Sequence, residues 1–278
     1  MTTPKSEVKL RRMSIGRSSA VKASATTSSD ENPKMQKDTL RIQQLFPKVH
    51  EDLPKLLWLI SRGDSEETKT ALAGLNTLLE KESEGDETTL ALYRVCGHAT
   101  IIKAMRLYSD NVTVQLTSLQ ALDHLANQQR CKKIAFDEYT YMRTSLVALG
   151  AIDLALTAAT SLANFSNVAV RALGLVEKLM DVYTFEELFH LKIMETTATI
   201  MKNYQSSGNV QSRGCDIFHK ATKKCSGPNR TMFEGIQTVS LLGAVMERFK
   251  DEKVYTKADN VLQGILSIKS NKRKRNSL

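Results

Sequence analysis

One apolar register recurs five times along this chain, and it limits what the chain can fold into. Each copy places apolar residues five, eight and eleven positions beyond an anchor. The copies are Glu67 with Leu72, Leu75 and Leu78; Val114 with Leu119, Leu122 and Leu125; Val168 with Leu173, Val176 and Leu179. The fourth is Val210 with Cys215, Phe218 and Ala221, and the fifth is Val254 with Asp259, Leu262 and Ile265. Glu67 and Asp259 are the two polar members. Spacings of three and five residues place these positions on one side of an α-helix. The anchors lie 47, 54, 42 and 44 residues apart. A helical pattern recurring at a period in the forties predicts helices stacked in an array.

The segments before the anchors support that reading. Gly97, Gly150 and Gly235 stand seventeen to nineteen residues before Val114, Val168 and Val254. After each glycine comes a further apolar stretch, Ile101-Ile102-Met105, Ile152-Leu154-Leu156 and Ile236-Val239-Leu242. Ser109-Asp110-Asn111 and Asn164-Phe165-Ser166-Asn167 then lead into the next helix, with side chains suited to capping its free N–H groups. The stretch 188–209 lacks the glycine. Proline is absent between positions 55 and 227, as continuous helices require. The opening segment 42–61 reads as an apolar helix, or a helix pair broken at Pro47 and Pro54. It is placed to cap the first repeat, with Trp58 in the core.

Charge is unevenly spread. Residues 1–40 hold eight Lys or Arg and four acids, and residues 262–278 hold five Lys or Arg and no acid. The formal charge of +9 therefore sits in the two ends, and the remainder is neutral. Residues 1–40 are rich in Ser, Thr and Lys and poor in periodic apolar residues, a composition expected to stay disordered. Within them, Arg11-Arg12-Met13-Ser14-Ile15 resembles a site for basophilic kinases, and Ser277 stands in a similar setting. Lys272, Arg273, Lys274 and Arg275 form a basic run of the nuclear-localisation type. The same run suits nucleic-acid phosphates or an anionic lipid surface.

No apolar stretch reaches the ~18–20 residues of a membrane span, and the N-terminus carries no signal-peptide pattern. Cys96, Cys131, Cys215 and Cys225 form no disulfide-like framework, so reduced thiols in the cytosol or nucleus are expected. Cys215, His219 and Cys225 lack a fourth ligand for structural zinc. His98 reads as a turn residue or cap. Glu186 and Glu187 follow Thr184 as acids at a helix start. Phosphate loops, nucleophile elbows and His-Glu-x-x-His are absent. No cofactor is expected, and the chain is read as a non-enzyme.

The segments Cys96–Asn127 and Gly150–Met180 resemble armadillo repeats, and the likeness extends more weakly over residues 42–268. The family resemblance implies an all-α fold: a right-handed α-solenoid, an armadillo-like superhelix of about five repeats, with disordered basic tails. The implied domain limits are a tail at 1–40, a repeat domain at 41–268 and a basic tail at 269–278. HEAT-type repeats are the near neighbour. The resemblance also implies a concave groove, lined by the third helix of each repeat, that holds an extended peptide. Positions six and ten beyond each anchor carry no Trp–Asn ladder, which argues against an importin-alpha-type receptor. Basic residues gather later in the chain instead. Arg171, Arg213 and Lys257 stand three beyond their anchors, Lys178 and Lys220 stand ten beyond, and Lys223 lies near them. With Gln120 and His124 these form the candidate groove, which would favour an acidic or phosphorylated peptide. The implied role is an interaction scaffold in the nucleus or cytoplasm, with a protein or peptide partner and a basic run open to the nuclear import machinery. The alternative is nucleic-acid or anionic-lipid binding through the tails.

Overall fold

The computed structural model describes residues 44, 51–81, 86–127, 134–225, 231–250 and 253–275. Among them are fourteen α-helices and no strand. The helices are α1 (Leu53–Arg62), α2 (Ser65–Lys81), α3 (Asp86–Arg94), α4 (Gly97–Leu107), α5 (Val112–Leu125), α6 (Phe136–Ala148) and α7 (Ala151–Ser161). They continue as α8 (Ser166–Leu179), α9 (Phe185–His190), α10 (Ile193–Asn203), α11 (Gly208–Lys224), α12 (Thr231–Gly235), α13 (Thr238–Arg248) and α14 (Lys253–Arg275). A 3-10 turn, Met180–Val182, extends α8.

Several helices have a local reason to start. Pro54 lies in the first turn of α1, where its missing N–H costs no bond; it opens the helix and does not break it. The Asp64 carboxylate accepts the N–H groups of Glu66 and Glu67 at 2.9 Å each, capping α2. Asn111 caps α5 by accepting the Val114 N–H at 3.0 Å. At α8 the expected cap is displaced, since Phe165 holds the N-cap position without a side-chain bond. Thr184 and Glu187 form a reciprocal capping box on α9, which uses the acids the sequence placed there.

The helices after the turns share one backbone device. The residue before α4, α7, α10 and α13 is left-handed: Cys96 at φ 57°, Gly150 at 80°, Lys192 at 55° and Gln237 at 55°. Only Gly150 among the predicted glycines occupies that position. Gly97 matters for another reason: a Cβ there would collide with the Leu92 side chain. Gly235 meets nothing within 4 Å. Lys192 explains how 188–209 builds the turn without glycine.

Two rows of helices result. The long helices α2, α5, α8, α11 and α14 pack one on the next in chain order, and so do α1, α4, α7, α10 and α13. An all-helical array packed in this way fits a helical repeat fold. In α5, α8 and α11 all the register positions are buried, together with the position twelve beyond the anchor. The two end helices each lose half of that stripe. In α2, Leu72, Leu75 and Leu79 are buried while Glu67 is exposed and Leu78 is half-buried. In α14, Val254 and Ile265 are buried while Asp259 and Leu262 are half-buried and Leu266 is 40% exposed. At about 100° per residue, positions zero and eleven lie within about 20° of each other, and five, eight and twelve lie about 80–140° round. The first flank thus needs a preceding long helix, and the second a following one. Asp259 is the end of the stripe and not a defect in it.

Two other expectations change. Trp58 is half-buried, while Leu53, Pro54 and Ile60 are the buried residues of α1. Helix α14 runs through residues 269–275, which the sequence assigned to a tail. Lys and Arg propagate a helix well and suit its negative C-terminal end. Lys272, Arg273, Lys274 and Arg275 therefore form its last turn in backbone terms, and their side chains lie outside the described residues. Ser14, Ser277 and all of 1–40 also lie outside them. Among the described residues, no single helix is long and apolar enough to cross a membrane.

Candidate functional site

The row of long helices carries all the candidate groove residues, and most of them have intramolecular partners. Four of the cations reach back to the preceding long helix. Lys178 of α8 pairs with Asp123 of α5. Arg213 of α11 meets Glu177 of α8 at 3.1 Å. Lys220 donates to the Glu177 carbonyl at 2.9 Å and lies 3.3 Å from Asp181. Lys257 of α14 donates to Asp216 at 2.6 Å and to Ser212 Oγ at 2.8 Å. Gln120 of α5 donates to Glu80 of α2 at 2.7 Å. A ladder of rungs joins the long helices; these are donated from the later helix to the earlier, while Asn76 of α2 donates the other way, to the Thr117 carbonyl of α5 at 2.9 Å.

This ladder changes the electrostatics expected of the groove. Lys178, Arg213, Lys220 and Lys257 are neutralised by carboxylates one repeat earlier. Arg171 is exposed and makes no ion pair or hydrogen bond among the described residues. Lys223 is exposed as well. His124 departs from expectation: it is 6% exposed, with Nε2 3.8 Å from Glu80, so it is enclosed between helices and does not face a peptide. The sequence held a sign of the pairing, since Asp123 and Glu177 both stand nine residues beyond their anchors.

A denser cluster closes the end of α8. Arg143 of α6 donates to the Lys178 carbonyl and lies 3.3 Å from Asp181. Lys224 donates to the carbonyls of Met180, Asp181 and Tyr183 at 3.2, 3.0 and 2.6 Å. Burial lowers the Lys224 pKa, against the pull of Asp181. Cations here satisfy the free carbonyls of a helix C-terminus and oppose its partial negative charge.

Tyrosine and glutamine make a second link between repeats. The Tyr108 hydroxyl donates to the Gly63 carbonyl at 2.8 Å, and Tyr204 to the Leu162 carbonyl at 3.0 Å. Seven residues on, Gln115 Nε2 donates to the Met105 and Tyr108 carbonyls, and Gln211 Nε2 to those of Met201 and Tyr204. Both glutamines stand one beyond their anchors, buried where the preceding helix ends. The shared seven-residue spacing is visible in the sequence.

Several titratable groups serve packing. His98 is buried, stacks on Tyr93 with centroids 5.0 Å apart, and has Nε2 3.0 Å from Ser145 Oγ. Burial lowers its pKa, so it stays neutral near pH 7. Cys215 is buried in α11 and its thiol is pushed up to about 12, chiefly by burial. Cys96 is an exposed free thiol. Among the described residues no group of three or more His, Cys, Asp or Glu is arranged to hold a metal ion.

Comparison with known proteins adds to the fold. No family model and no curated protein sequence matches this chain. Two solved chains match it in structure. One is the crystal structure of an engineered protein from the Northeast Structural Genomics Consortium, with a TM-score of 0.61 at 16% identity. The match covers 87% of this chain and 94% of that one. At that identity the likeness speaks for the fold alone.

Proposed function

We propose that the chain is a non-enzymatic interaction scaffold, an armadillo-like right-handed solenoid of about five repeats that binds an extended peptide along its long helices. The succession of α2, α5, α8, α11 and α14, held in register by the donor–acceptor ladder, carries this reading. A surface fixed before binding keeps down the ordering cost of many modest contacts. Arg171 and Lys223 supply the positive charge for an acidic or phosphorylated segment, because Lys178, Arg213, Lys220 and Lys257 are engaged by Asp123, Glu177, Asp181 and Asp216. The test is affinity capture of partners from cell extract with the full chain and with R171E/K223E, followed by mass spectrometry. A set of partners lost from the variant supports the groove. Identical recovery from both removes it.

The tails give a second reading. The excess charge lies at 1–40 and 262–278, and α14 extends the helix through Lys272–Arg275. Such an end suits nucleic-acid phosphates, anionic lipid or the nuclear import machinery. Phosphate binding through the tails collapses steeply as salt rises, and deletion of 269–278 abolishes it while peptide capture persists. Imaging a tagged chain with and without 269–278 tests nuclear entry.

A further inference from the structure

A cavity of about 560 Å³ lies between α10 and α13, on the opposite row from the ladder. That is within the ~300–1,000 Å³ typical of sites that enclose a ligand group. Its floor is apolar, from Met201, Leu241 and Val245, all buried. Ser240 and Ala244 of α13 are small and exposed, and they leave the mouth open. Gln211 also lines the cavity. It is 1% exposed, its Nε2 is fully used on two carbonyls, and its Oε1 accepts no hydrogen bond.

The charges at this site differ from those of the ladder. Lys202 and Arg248 both line the cavity, and neither makes an ion pair or hydrogen bond among the described residues. Glu247 is the one carboxylate of the lining. An apolar floor beneath two uncommitted cations matches a ligand with an apolar group beside an anionic one.

We propose that the α10–α13 groove docks a short linear segment of a partner protein in which an acidic residue adjoins a large apolar one. The apolar side chain covers Met201, Leu241 and Val245. The carboxylate is held by Lys202 and Arg248. This site lies on the second row of helices and does not rest on the peptide surface of the first.

A phage-displayed library of random peptides, panned on the full chain, supplies the probe. The expected enrichment is for Asp or Glu next to Leu, Phe or Trp. Fluorescein-labelled synthetic copies, followed by fluorescence polarisation, then bind the K202E/R248E variant at least about ten-fold more weakly. A244W fills the mouth from an exposed position and removes binding, whereas R171E/K223E leaves it unchanged. Absence of enrichment, enrichment of peptides without the acidic–apolar pair, or affinity sensitive to R171E/K223E and indifferent to A244W overturns the proposal.

Discussion

The Tyr204 hydroxyl donates to the Leu162 carbonyl at 3.0 Å, and so fastens the end of α10 to the end of α7 across 42 residues of sequence. Leu162 is the C-cap of its helix, where carbonyls have no partner inside the helix. Tyr204→Phe keeps the ring and removes the donor. It is expected to cost about 1 kcal/mol and to lower Tm by about 2–4 °C. Calorimetry on the full chain checks this, and an unchanged Tm shows that the bond adds nothing net.

Left-handed backbone at Cys96, Lys192 and Gln237 strains a side-chain-bearing residue. Replacing each singly with glycine relieves the strain but loosens the unfolded chain, for a net gain of about 0.5–1 kcal/mol. Gly150→Ala should destabilise by a similar amount. Urea denaturation of the four variants reads the signs, and a loss at all three glycine substitutions contradicts the turn geometry.

Asp216 and Lys257 lie 2.6 Å apart and are both partly exposed. A double-mutant cycle with D216N and K257M is expected to give a coupling of about 0.5–1 kcal/mol. The coupling should shrink in 1 M salt, where screening is strong. A value indistinguishable from zero at low salt would mean that the ladder sets charge pattern without adding stability.

His98 gives a pH dependence of definite sign. Burial holds its folded pKa below the ordinary 6.5, so the unfolded chain takes up a proton first as pH falls. Its contribution is therefore complete above about pH 6.5 and is lost progressively below it. The urea midpoint should drop between pH 7.5 and pH 5.5, and H98Q should flatten that drop. Equal slopes in both proteins would place the effect elsewhere.

Cys215 should resist thiol reagents in the native state, because a buried thiol with a pKa near 12 yields almost no thiolate at pH 8. Cys96 is exposed and should react at once. Ellman titration of C96S with and without urea, with peptide mapping, distinguishes the two.

What the sequence made legible follows from period. The anchors and the residues five, eight and eleven beyond them could be read because burial on one helical face leaves a regular trace. Lys192 left no trace, since its role lies in a backbone angle that the sequence signals only when glycine occupies the site. The candidate groove was readable as a set of positions but not as an electrostatic field. Asp123 and Glu177 lie one repeat before the cations they neutralise, and a count of charges along one helix does not see across repeats. His124 was misplaced for a related reason: position ten turns outward or inward according to the neighbouring helix, and Glu80 and α2 enclose it. The α10–α13 groove was invisible because it depends on how α10 and α13 pack side by side.

The split stripe of α2 and α14 gives the array a direction. Taking α14 away would strip the cover from Cys215, Phe218 and Thr222 of α11, a wetter and costlier edge than Asp259, Leu262 and Leu266 now present. Shortening from that side is therefore penalised at once. Asp259 thus keeps polar, on α14, the flank that α11 fills with Cys215 and Phe218.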